Sequence, residues 1–152
     1  MKNKNLINLV LVIVLIAAGA YFGDDQGVFD GFDQSTSKHT ASDTTDGVRS
    51  LYENKRSGEM VRVQGRVAKV LSDDNKGSRH QRFILEVGND LTVLVAHNID
   101  LAERVPLQRG DHIELYGQYE WNNKGGVLHW THHDPAKRHE EGWIEHRGTR
   151  YM

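Results

Sequence analysis

The chain contains no cysteine, which excludes disulfides, thiolate metal sites, a cysteine nucleophile and a lipid-modified N-terminal cysteine. Any metal would have to rely on imidazole and carboxylate. Proline occurs only twice, whereas fifteen glycines point to turns and bent strands rather than long helices. The formal charge of −2 lacks the basic excess of a general nucleic-acid binder, although nine histidines make it strongly dependent on pH. Several catalytic signatures are also missing. There is no Gly-x-Ser-x-Gly and no His-Glu-x-x-His, and Gly125-Gly126 makes a turn without the Gly-Lys-Ser/Thr of a phosphate loop.

A long apolar run occurs once, from Leu6 to Phe22, after Lys2 and Lys4 and before Asp24 and Asp25. Basic residues remain on the cytoplasmic side, so the remainder is expected to be exported, either into the periplasm or held at the inner membrane facing it. The run is at the short end for a spanning helix, and Ala18-Gly19-Ala20 also suits cleavage, so residues 1–22 are a signal peptide or a membrane anchor. Residues 23–47 are rich in Asp, Ser, Thr and Gly and are expected to form a disordered acidic tether, because they hold too little apolar surface for a core.

Residues 48–152 read as the folded domain. Asp46 is placed as the cap of a short helix that buries Val48, Leu51 and Tyr52 and ends near Ser57-Gly58. Val61, Val63 and Val67 alternate with polar residues around Gly65, which predicts strand one with a bend or bulge at the glycine. Strands two and three, about 80–87 and 91–96, form a hairpin. Asn98–Arg104 is expected to be a second short helix closed by Pro106, followed by strand four over 112–120 and strand five over 127–131. Three strands, a helix and two strands predict an all-β, five-stranded Greek-key barrel like the OB-fold.

Three stretches are distinctive: Asp73 through Phe83, Val95 through Ala102, and Trp121 through Pro135, which contains His129-Trp130-Thr131-His132-His133-Asp134-Pro135. In these, and in Gly142-Trp143-Ile144 and His146, the domain resembles an uncharacterised bacterial family, a domain of unknown function. That resemblance implies an exported or tethered small β domain and supplies no established activity. A weaker resemblance is to staphylococcal-nuclease-like domains, at Asp73-Asp74 and at Ile99 through Glu103. The glycine and threonine of that family's loop and the proline before its glutamate are absent here, so its catalysis does not carry over.

Five of the nine histidines lie between His129 and His146. His132 and His133 follow strand five, His80 opens strand two and His97 ends strand three, so barrel closure would let them meet at one mouth and bind a divalent ion, zinc first. His129, Trp130 and Trp143 are the candidates for a structural role. Arg62, Arg66 and Arg82 fall on the outward face, where OB-folds bind oligonucleotides or polysaccharides, and they suit an anionic ligand. Alternatively, they form an ordinary solvated face. The preferred reading is a cell-envelope binding module for a metal ion or small polar ligand. The alternative is a metal-dependent phosphodiesterase or nuclease, assisted by Asp134 with Arg79 or Arg82. A third reading makes the C-terminal segment a partner-docking or acid-sensing surface.

Overall fold

Val48 and Leu51 share one face of a helix with Tyr52 and are buried against the first strand, which places this amphipathic element over the barrel. The computed structural model describes residues 41–88 and 90–152; the predicted signal or anchor and most of the tether lie outside them. The helix, α1, spans Ala41–Glu53, so Asp46 sits within it rather than at its cap. The amphipathic period thus begins inside the stretch read as tether. Trp121 Nε1 donates to the Tyr52 carbonyl at 3.0 Å, tying the last turn of α1 to the barrel.

Strands β1 (Glu59–Val70), β2 (His80–Val87), β3 (Leu91–Asn98), β4 (His112–Glu120) and β5 (Val127–His129) close in the order β1-β2-β3-β5-β4, with β4 returning to β1. This closed five-stranded barrel is compatible with the OB-like fold, including the parallel β3–β5 pairing at Leu94–Val127 and Val95–Leu128. The period-two pattern is realised in the burial. Phe83, Leu85, Val87, Val93, Val95, Leu115, Tyr119 and Leu128 are buried in one core, each large apolar side chain contributing about 1.5–3 kcal/mol.

Around Gly65 strand β1 passes from pairing with β4 to pairing with β2. A Cβ there would stand 2.4 Å from the Glu86 carbonyl oxygen, so close approach explains the glycine. The bulge itself lies between Val67 and Lys69, two residues beyond the expected position. The expected helix over 98–104 is a single turn instead, with Ala102 N donating to the Asn98 carbonyl at 3.1 Å. Val105 plugs the barrel after that turn, and the buried Gln81 amide holds it at both main-chain groups, at 2.7 and 3.0 Å.

Two strands beyond the predicted five complete the sheet: β6 (Trp143–His146) and β7 (Thr149–Tyr151). Strand β5 ends at His129, and Trp130 takes a φ of 53°, which leaves the strand region. Both β5 and β6 pair with β4, β5 at Gln118–Glu120 and β6 at Ile113–Tyr116. They are two halves of one edge interrupted by residues 130–142. That excursion is an Ω-loop with a closed neck, since Gly142 N donates to the His132 carbonyl at 3.0 Å. Gly117 marks the break on β4, because a Cβ there would meet the His129 carbonyl oxygen at 2.5 Å and the Thr131 methyl at 2.7 Å.

Candidate functional site

The Ω-loop is organised by Asp134. Its carboxylate accepts main-chain N–H groups from Ala136 at 2.9 Å, from Arg138, and from His139 at 3.1 Å, which turns the chain and fixes His139 above Trp130. The two rings stack at 4.3 Å, 7° from parallel. Burial of Asp134 opposes its ionisation, but the N–H groups of Arg138, Ala136 and His139 outweigh it and hold the carboxyl below the usual carboxylate range. A short polar motif therefore builds a rigid loop without an apolar core of its own.

His97 fastens the loop to the barrel. Its parity with Val93 and Val95 points it inward, and it is fully buried. Nε2 lies 3.1 Å from the Glu103 carbonyl, so it carries the proton, while Nδ1 accepts from the Thr131 hydroxyl at 2.9 Å. Burial lowers its pKa to about 4 and keeps it neutral at pH 7. Both ring nitrogens are thereby committed within the protein, and the second tethers the start of the Ω-loop.

Three other histidines adopt the opposite tautomer. Nδ1 of His80 lies 2.8 Å from the Ser78 carbonyl, that of His132 2.7 Å from the His133 carbonyl, and that of His139 2.8 Å from the Glu140 carbonyl. A carbonyl can only accept, so each Nδ1 carries the proton and each neutral ring keeps its lone pair on Nε2. His132 is central to this group. It is buried, and its ring meets that of His139 edge-on at 5.3 Å. Its pKa is lowered, first by burial.

His133 stands apart, about half exposed and 3.4 Å from Glu141. His129 lies 3.9 Å from Glu120 with a buried Nε2 that makes no hydrogen bond, beside Trp130 at 5.0 Å. The structure thus brings the His132 and His139 rings together, and commits His97 to Thr131 and Glu103 and His133 to Glu141. Among the described residues no three His, Asp or Glu groups are drawn together as a ready-made metal site. His139 was not singled out as a ligand from the sequence. Its available signal was the Asp134 motif, which recruits the N–H five residues on.

The arginines are paired. Arg62 meets Glu114, Arg66 meets Glu86 at 2.7 Å, and Arg82 Nε donates to the Ser72 carbonyl at 3.1 Å. Arg79 binds Asp100 at 2.7 Å and Arg104 binds Asp73, cross-linking the β1–β2 loop with the turn after β3. Two of the acids that carried the nuclease-like resemblance, Asp73 and Asp100, therefore act as partners of arginines, and Asp74 accepts the Lys76 N–H at 3.0 Å. Trp143 lies beneath the Arg150 guanidinium at 4.0 Å, with Arg62 further off at 5.7 Å.

Residues 29–152 match a family described as Protein of unknown function (DUF3465). The chain belongs to this family. The match takes in the barrel, the Ω-loop and the C-terminal hairpin, so the histidine-bearing loop lies within the family's extent. No curated protein matches the chain.

Proposed function

We propose that this member of the family is an exported, OB-like binding module of the cell envelope that takes a metal ion or a small polar ligand on its Ω-loop. The observation that carries the reading is the shared tautomer of His80, His132 and His139, in which a main-chain carbonyl holds each Nδ1–H and leaves Nε2 as the ligand-facing nitrogen. The commitment of His97 to Thr131 and Glu103 favours binding over hydrolysis at this mouth, since one of the four imidazoles expected there is occupied with holding the loop. Export is supported by Lys2 and Lys4 ahead of the apolar run.

The test is a titration of the tag-free full chain with zinc and, separately, with phosphate, citrate and glucuronate, followed through the histidine ring nitrogens by NMR. Saturable shifts confined to His80, His132 and His139 are expected with one of these. Rings that stay unmoved through all four titrations would overturn the reading.

A further inference from the structure

The Ω-loop hides polar groups that surface loops ordinarily leave in water: His132 is 4% exposed and Asp134 2%. Its internal bonding and its fastening are unequal. From Asp134 to His139 the loop is knit to itself. The carboxylate accepts the N–H groups of Ala136, Arg138 and His139, and the Asp134 carbonyl accepts that of Lys137 at 3.0 Å. Among the described residues, the polar and ring contacts that fasten this unit are the stack of His139 on Trp130, its edge contact with His132, and the exposed bond from the Tyr116 hydroxyl to Glu140 at 2.6 Å. The neck adds one more, Gly142 N to the His132 carbonyl at 3.0 Å.

Trp130 belongs to the barrel side of this contact. Its φ of 53° is a left-handed backbone that a bulky residue keeps only where its surroundings hold it, and here β5 lies before it and Thr131, bound to the buried His97, after it. The Trp130 ring is therefore a fixed platform on which His139 rests. One aromatic stack and one exposed hydrogen bond are small beside the main-chain network within the unit, so the unit parts from the barrel before it loses its own form. Gly142, with no side chain, leaves rotation free at one hinge. We propose that residues 133–141 form a gate that swings as one unit about the neck at His132 and Gly142, lifting the His139 ring off Trp130 and off His132. The closed loop hides the His132 ring and the open loop presents it. The gate goes beyond the binding-module reading by naming the motion that admits a ligand, and it rests on that reading for the ligand. A ligand that binds only the open loop shifts the population toward it.

Amide hydrogen exchange of the tag-free full chain tests the gate. A swinging unit predicts that the Gly142 N–H exchanges at least about ten-fold faster than those of Arg138 and His139, which travel with Asp134. Trp130→Gly removes the ring and tolerates the left-handed backbone, so the variant should fold. It should speed Gly142 exchange about two- to ten-fold and leave Arg138, His139 and the amides of β2 and β3 unchanged. Gly142 exchange that keeps pace with Arg138 and His139, or that Trp130→Gly leaves unaltered, overturns the gate. If the exchange pattern holds while zinc, phosphate, citrate and glucuronate all leave the histidine rings unmoved, the gate stands and the binding module falls. If one of the four moves the rings while Gly142 exchanges in step with Arg138 and His139, the binding module stands and the gate falls.

Discussion

At the scale of single residues, His97 decides whether the Ω-loop stays on the barrel. Removing its pair of hydrogen bonds takes the partner from the buried Thr131 hydroxyl and from the partly buried Glu103 carbonyl. His97→Ala should destabilise the chain by about 2–4 kcal/mol, read from urea denaturation. The same ring sets a pH dependence. Its folded pKa of about 4 lies below the ordinary 6.5, so the folded chain binds fewer protons than the unfolded one. Its stabilisation is complete above about pH 6.5 and is lost as pH falls toward 4, a loss of about 3 kcal/mol. His132, lowered by burial, contributes with the same sign. Denaturation midpoints measured across that interval should fall, and His97→Gln should flatten the fall. Part of this was legible: alternation through Val93 and Val95 already points His97 inward. Its two partners lie six and thirty-four residues away, and no local pattern joins them.

At the scale of elements, the main finding is one strand split into β5 and β6 by thirteen residues. Strands β1 to β4 were legible because each alternates long enough for its apolar face to stand out. Strand five, expected over 127–131, was legible from its turn and ends at His129, whereas β6 and β7, with four and three residues, are too short for a period to register. The single turn after β3 has helix-forming residues but is fixed by the Gln81 amide and by Val105 entering the core, contacts that end it early. The split depends on close approach at its neck, where a Cβ on Gly142 would meet the Trp130 and Tyr116 carbonyl oxygens at 2.1 and 2.3 Å. Gly142→Ala should therefore cost about 3 kcal/mol and speed amide exchange over residues 130–142 more than in β2 and β3, measured by hydrogen exchange.

At the scale of the whole molecule, the near-neutral formal charge is organised as pairs across neighbouring strands and loops: Arg62 with Glu114, Arg66 with Glu86, Arg79 with Asp100, Arg104 with Asp73. Such exposed pairs contribute little stability, and they cancel the field that an anion would seek. Arg62→Ala combined with Arg66→Ala should change stability by less than about 1 kcal/mol in denaturation and leave retention on an anionic polysaccharide column unaltered. The sequence by itself determined the residue types available for chemistry, the alternation of the long strands, their order, and the place of the polar turns, because these depend on composition and short-range period. Tertiary structure decided which histidines meet. The choice depends on which ring nitrogen a main-chain carbonyl holds and on where an interrupted strand lets the chain leave the barrel. It therefore separates His97 and His133 from His132, and it brings in His139 through the N–H groups gathered by Asp134.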